Sequence, residues 1–484
     1  MYNQDPAIRR RRDRLRFFGY GAMTIATILL AVLSIYFVLG YRVNKSLQVE
    51  QGGLMKFDSR PRGATVTLNG VQARQTRYQV NAETGEHTIR YEREGYHPWQ
   101  KTVSLHAGEV LWLEYARLIP TLVTTQPVAD LAAVHQASTA PDREWMLLHA
   151  TPETPVFSLV DARNEGKPVI TELALPAAAF TVPAEGKPSL FDIQMWSRDS
   201  DFVLIRHSFN DADVEYIRLP VGDPARAENV SRLFGLPLAS LRFAEGSNAV
   251  FFAQGTDASL LRLDRGDPAK PVTIAKSVVA FDELNEGSVA YAVRPDPAVA
   301  ERQLFIWQRN GEKRTRIKTI NEDVPMQLQF NQYYSHTYLT EVYGSHLEVT
   351  EDPLLAPRKT IISQSLSFTP AALQASPGNR FIMSQTGESI AVFDIELSQL
   401  YTFTSPAEAR LPLQWADDHH IAMTGNGSLR LVEFDGTNSQ HITAFAGIGD
   451  VLVGTEGRSL LSIGKQDNGS LRLQSSTLLT PADQ

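Results

Sequence analysis

The 484-residue chain has no cysteine. No disulfide can staple it, and no thiolate can hold a metal. A chain of this length buries enough core to dispense with staples, and their absence fits a bacterial cell surface better than a disulfide-linked ectodomain. Catalytic signatures are missing as well. There is no H-E-x-x-H helix, no G-x-S-x-G elbow and no phosphate loop. Gly447-Ile448-Gly449 leads into Asp450-Val451-Leu452-Val453, a strand pattern. A dinucleotide loop would open a helix there, so an inter-strand turn is expected. Cations are scarce after the first segment: residues 42–484 carry 40 Lys+Arg against 52 Asp+Glu, a net −12. That balance argues against nucleic acid as a partner and against adhesion of the bulk of the chain to anionic lipid. No helical period is sustained beyond residue 50.

Charge of either sign is absent between Arg16 and Arg42. Residues 17–41 form an apolar run that, as a helix, spans roughly 37 Å and crosses a hydrocarbon layer of about 30 Å with some tilt. Six arginines precede it: Arg9, Arg10, Arg11, Arg12, Arg14 and Arg16. Only Arg42 and Lys45 follow closely. This asymmetry predicts a cytoplasmic tail at 1–16 and an extracytoplasmic chain beyond the span. The run exceeds a signal-peptide core of about 7–15 residues, and Leu39-Gly40-Tyr41-Arg42 offers no small-x-small cleavage pattern, so an uncleaved signal anchor is expected. Ala22-x-x-x-Ala26 and Thr27-x-x-x-Ala31 would permit close helix–helix approach.

A polar linker is expected at 42–52 and a small β domain at 53–120. Alternating strands such as Thr65-Val66-Thr67-Leu68, His87–Glu92, Thr102–His106 and Val110–Tyr115 are separated by turns containing Asn69-Gly70, Gly85, Gly95 and Gly108. The string Phe57-Asp58-Ser59-Arg60-Pro61-Arg62-Gly63-Ala64-Thr65-Val66-Thr67-Leu68-Asn69-Gly70, with Gly85-Glu86-His87-Thr88-Ile89 and Gly95-Tyr96-His97-Pro98-Trp99, resembles a PEGA domain. Arg62 stands where that family's name-giving Glu would be. The resemblance covers about 70 residues and implies a small all-β, non-catalytic module of bacterial and archaeal cell surfaces.

Residues 121–484 are β-rich and repetitive. An aromatic or apolar residue, a polar turn and an apolar strand recur: Trp196–Ile205, Trp415–Met423, Phe243–Phe252 and Phe281–Tyr291, with looser copies at Ala375–Met383 and Ala140–Leu148. The set resembles degenerate TolB-like and WD40-like β-propellers. Roughly 350 residues divided by about 44 per blade gives about eight blades, with seven as the competitor. The units begin near 128, 188, 237, 278, 325, 366, 411 and 444. Closure of the ring predicts that Val128–Leu131 and Leu471–Leu473 lie together.

The fold class is thus all-β: one transmembrane helix, a PEGA-like sandwich, then a propeller. Candidate chemistry is sparse. Asp417-Asp418-His419-His420 mixes carboxylate and imidazole but falls at a repeat turn. Asn210-Asp211-Ala212-Asp213 reads as a solvated hairpin tip. No metal and no cofactor is expected. In the aromatic run Phe330–Tyr338, alternate residues share one strand face, which makes Tyr334, His336 and Tyr338 candidates for holding a sugar or peptide. Leu175–Pro183, rich in Pro and Ala, reads as a rim loop touching a partner or a disordered connector. The expected function is non-catalytic binding or scaffolding at the cell envelope, anchored in the bilayer through 17–41, with an envelope protein or wall polymer as partner. The alternatives are a propeller enzyme acting on wall glycans and a spacer without ligand. Ionisable groups clustered at the axis would favour the enzyme, and a bland channel the adaptor.

Overall fold

The computed structural model describes residues 6–38, 41–43, 49–405, 413–466 and 468–483. Residues 1–5 of the expected tail and 44–48 of the expected linker lie outside them. Two compact units result, 1–121 and 122–484.

Helix α1, Pro6–Val38, carries the arginine run and the apolar run as far as Val38 without a break, and Tyr41, expected to end the span at 17–41, lies in a strand instead. Arginine is a good helix former and no capping residue separates the two runs. Its stretch Phe17–Tyr36 has a mean hydropathy of 1.9 and is long enough to be a candidate membrane span. Thr24, Thr27 and Ser34 donate to the carbonyls of Tyr20, Met23 and Leu30, four residues back. Hydroxyls bonded in this way leave no bare donor on an apolar helix. The linker is not wholly irregular, because Tyr41–Val43 pairs antiparallel with Val49–Gln51.

Seven strands then build two facing sheets. Gly53–Arg60 lies between Tyr78–Ala82 and the parallel Val110–Arg117. The other sheet runs Val71–Gln75, Thr65–Leu68, Gly85–Glu92, Trp99–Leu105. Buried residues alternate with exposed ones along Gly53–Arg60, so one face enters the core. Tyr91 and Trp99 stack there at 4.7 Å, Phe57 meets Tyr91 edge-on, and the Tyr91 hydroxyl donates to the Leu113 carbonyl. Asn69 (φ +50°) and Gly70 (φ +79°) form the two-residue turn between Leu68 and Val71, the left-handed pair that tight hairpins require.

The larger unit contains eight four-stranded antiparallel sheets among the described residues. Their first strands are Gln136–Thr139, Ser189–Trp196, Leu238–Phe243, Val278–Asn285, Met326–Tyr333, Ala372–Ala375, Gln414–Trp415 and Leu452–Val453. Sheets 1 to 7 add their next three strands in chain order. Sheet 8 takes its fourth strand, Thr125–Leu131, from the start of the unit. Asp130 faces Arg472 and Leu131 faces Leu471, as closure of the ring requires. The segment expected to open the first unit near 128 therefore belongs to the last sheet. The expected start near 411 lies outside the described residues.

A first strand has one ladder edge with no strand partner, and buried backbone groups there must find other partners. Side chains of the adjoining sheet supply them at junction after junction. Gln136 bonds both backbone groups of Ile193 at 2.7 and 2.8 Å, and Gln414 does the same to Val451 at 2.9 and 2.7 Å. Tyr216 donates to Ala239 O, Gln254 to Val278 O, and Gln327 to Pro370 O. Asp282 accepts from Phe330 N–H, Gln385 from Leu413 N–H, and Asp450 from Thr139 N–H. The contacts run from sheet 1 to sheet 8 and back to sheet 1.

The closing junction has further devices. Glu165, in the loop after the third strand of sheet 1, accepts from the backbone N–H groups of Glu456, Arg458 and Ser459. A Cβ on Gly449 would stand 2.3 Å from the Cβ of Ala137, so only glycine fits there.

The recurrent sequence slot is a shared turn. The N–H of Ala140, Ser197, Ala244 and Ser376 each bonds the carbonyl that opens the second strand, at Trp145, Phe202, Val250 and Phe381. Sheets 4 and 5 depart from it: first strands of eight residues end in the two-residue turns Glu286-Gly287 and Tyr334-Ser335. One short helix, Val230–Phe234, interrupts the strands, capped by the Asn229 side chain bonding Arg232 N–H and ended by Gly235 in the left-handed region. At five residues it is too short to leave a periodic signal.

Candidate functional site

The turns and strand ends that follow the first strands converge on a cavity of about 910 Å³, to which every one of the eight sheets contributes. Its wall is polar. Gln329, Gln332, Gln374, Gln414, Asn331 and Asn379 line it beside Arg143, Arg198, Arg242, Glu245, Asp282 and Glu283. The volume is of the order of small-ligand sites, roughly 300–1,000 Å³.

The charged groups are organised across the sheet 3 to sheet 4 junction. Arg242 on the first strand of sheet 3 reaches Asp282 at 3.0 Å and Glu283 at 3.4 Å on the first strand of sheet 4. Asp282 also accepts from Phe330 N–H at 2.7 Å and from the Gln329 amide at 3.2 Å. Burial raises both carboxyls, against the pull of Arg242. The Glu283 carboxyl is pushed up to about 8 and Asp282 beside it is raised as well, so burial favours a proton on this pair of carboxyls. Arg198 and Glu245 form a second, exposed pair at 3.4 Å.

Four buried polar atoms on this wall have no hydrogen-bond partner among the described residues: Glu283 Oε2, Asn331 Oδ1, Gln374 Oε1 and Trp415 Nε1. Buried polar atoms are normally satisfied, because leaving one bare costs about 1–3 kcal/mol. All four belong to residues that line the cavity, two of the atoms being acceptors, one a donor and one a carboxyl oxygen.

The aromatic candidates do not share one face. The chain reverses at Tyr334-Ser335, with Tyr333 pairing His336 across the hairpin. No Gly, Pro or Asn marks this turn, so the pattern reads as one continuous strand. Tyr334 occupies the turn at φ +50°, is 79% exposed and stands at the cavity wall. His336 opens the next strand away from the cavity lining. Its hydrogen bond to Asp352, 2.7 Å, raises its pKa. Glu351 lies 3.5 Å from the same nitrogen, but Lys359 already holds that carboxylate at 2.6 Å. His336, Glu351 and Asp352 sit close enough to hold an ion, in a cluster that Lys359 already neutralises. Tyr338 is buried in the core of sheets 5 and 6.

The remaining strings are structural. Asp417 accepts from the N–H groups of His419 and His420 and bonds the His420 ring at 2.8 Å, closing its turn. Asn210–Asp213 is a hairpin tip. Leu175–Pro183 is not a free loop. Ala177–Ala179 forms a 3₁₀ turn, Leu175 and Ala179 enter the core, and Phe180 packs on Phe191. The residues that sequence reasoning missed are Arg242, Asp282, Glu283 and Asn331. Asp282-Glu283 falls inside the repeat slot, where other units place a solvated turn, and only the longer strand of sheet 4 brings it to the cavity.

A comparison with curated proteins finds no sequence match. Among solved structures, an oligogalacturonate lyase from Vibrio parahaemolyticus is similar at 10% identity and a TM-score of 0.35, covering 60% of this chain and 90% of that one. A likeness of that extent carries no inference about this chain's activity. The small sandwich is another matter: residues 53–118 match the PEGA domain family.

Proposed function

We propose that the protein is a membrane-anchored, extracytoplasmic receptor. On this reading α1 is an uncleaved anchor with its arginines in the cytoplasm, the PEGA domain is a spacer or adaptor, and the eight sheets are the blades of a propeller. The axial cavity binds a polar, hydroxyl-rich ligand such as a segment of wall glycan. The observation carrying this is the set of unpartnered buried polar atoms on the cavity wall. Bound hydroxyls satisfy them, and binding energy then comes from ending an unfavourable state.

A second reading, a glycan-cleaving enzyme in the same cavity, is favoured by the ionisable groups that line it. Glu283, when it carries the pair's proton, is the obvious proton donor. Against it, Asp282 is fully engaged by Arg242, Phe330 and Gln329. Titration calorimetry of the full chain in detergent with soluble wall-glycan oligosaccharides, followed by chromatography of the recovered sugars, tests both. Saturable binding is expected, weakened at least tenfold by Asn331→Leu, with the sugars unchanged. Binding should also weaken as pH rises through about 8 and Glu283 loses its proton. Glu283→Gln, which keeps a donor, should remove that step. No binding to any glycan overturns the receptor reading, and shortened sugars replace it with the enzyme.

A further inference from the structure

A second constellation lies at the other end of sheet 2, outside the cavity. The first strand of that sheet, Ser189–Trp196, spans eight residues, or about 25 Å. The cavity-lining Arg198 follows its last residue, whereas Ser189 is its first. Ser189 Oγ lies 2.9 Å from His207 Nε2, and His207 Nδ1 lies 2.9 Å from Glu215 Oε1. The three residues come from three successive strands of one sheet, so the ladder itself sets their spacing.

The proton positions follow from the partners. Burial raises the Glu215 carboxyl, but hydrogen bonds from His207, Thr181 and Asn229 outweigh it and hold the group at about 2. The ionised carboxylate only accepts, receiving Thr181 N–H at 2.6 Å, Thr181 Oγ1 at 2.8 Å and Asn229 Nδ2 at 2.7 Å. Nδ1 therefore donates its hydrogen to the carboxylate, and in the neutral ring Nε2 is left to accept from Ser189 Oγ. The ring cannot turn away: Phe191 stacks on it at 4.3 Å and Phe209 at 4.9 Å, with Phe180 edge-on at 5.6 Å. His207 is fully buried, whereas Ser189 is partly exposed and follows the exposed residues 185–188. A base locked in one tautomer by a buried carboxylate, and aimed at a serine that solvent can reach, is how a hydroxyl nucleophile is activated.

We propose that Ser189, His207 and Glu215 form a serine acyl-transfer site that hydrolyses surface-presented carboxylic esters. Ser189 Oγ attacks the ester carbonyl carbon as its proton passes to His207 Nε2. The tetrahedral adduct collapses, the carbon–oxygen bond to the alcohol breaks, and the alkoxide takes the proton from Nε2. Water then attacks the acyl-serine with the same base, releasing the acid and restoring the serine. Glu215 is a positioning residue that also faces the imidazolium formed in each step. Thr181, from the Pro/Ala segment between sheets 1 and 2, holds Glu215 in turn, which gives that insertion a purpose beyond packing.

The test is labelling of the full chain in detergent with a fluorophosphonate, with the modified peptide mapped by mass spectrometry and p-nitrophenyl acetate hydrolysis followed in parallel. Ser189 should be the serine labelled fastest. Ser189→Ala should abolish both that label and the ester turnover in a protein that stays folded. Glu215→Gln should slow labelling at least tenfold, and Glu215→Asp should recover part of the rate. If Ser189 in the folded wild type labels no faster than exposed Ser335, the constellation is a structural bridge and the proposal fails. Glycan binding in the axial cavity is unaffected by either outcome.

Discussion

The two compact units solve the same problem by different means. The PEGA sandwich closes two sheets over one aromatic cluster, Phe57, Tyr78, Tyr91 and Trp99, with the Tyr91 hydroxyl and Lys101 reaching across to Leu113 and Tyr115 of the facing sheet. The larger unit divides its apolar core into clusters shared between neighbouring sheets, such as Leu147, Leu159, Ile205 and Ile217 between sheets 1 and 2. It then fastens each junction with a polar brace to exposed backbone. A single core is strong and concentrated. A closed series of junctions spreads the same task, and leaves polar groups on the cavity wall. The sharpest separation of the two strategies comes from Trp99→Ala. It empties the middle of the small core and should cost about 3–5 kcal/mol. Hydrogen exchange on the full chain should then rise across residues 53–120 and stay unchanged in sheets 2 to 7. A rise spreading through the eight sheets would mean that the units do not hold themselves independently.

The contrast also explains how much could be read from the chain. The sandwich was legible because its turns are written in residues with left-handed freedom, Asn69-Gly70 above all, and its strands alternate cleanly. The repeat in the larger unit was legible for the same reason: Ala140, Ser197, Ala244 and Ser376 make one turn over and over. The candidate sites were much less legible. Tyr334-Ser335 turns the chain without any turn residue, so Tyr334, His336 and Tyr338 read as one face in the sequence but occupy a tip, a strand end and a core. Arg242 meets Asp282 and Glu283 from 40 positions away, and Ser189 meets His207 and Glu215 across three strands. Such pairings depend on register between strands, which local pattern does not encode.

The closing junction between sheets 8 and 1 is where the ring differs most from the sandwich. The sandwich is continuous in sequence, whereas the side-chain hydrogen bonds of this junction join residues from 291 to 311 positions apart. Gly449 approaches Ala137 so closely, at φ +75°, that a methyl group has no room. Gly449→Ala should cost about 2–3 kcal/mol through backbone strain and forced separation. The damage should appear first as faster exchange in Gln136–Thr139 and Leu452–Val453, with sheets 3 to 6 protected as before. Uniform destabilisation of all eight sheets would show instead that the ring opens only as a whole.

The smallest effect expected is the most informative about the braces. Gln136→Leu keeps an apolar stem but removes both bonds to Ile193. Where water takes the place of the amide, losing the two bonds costs about 1–2 kcal/mol in total. Because the loss is local, the N–H of Ile193 should exchange faster while the equivalent brace two junctions away, Gln414 on Val451, keeps its protection. The reciprocal change, Gln414→Leu, should expose Val451 and spare Ile193. If neither amide responds, the apolar clusters alone hold neighbouring sheets together. The ring would then be a sandwich repeated eight times, with its polar side chains free to serve the cavity alone.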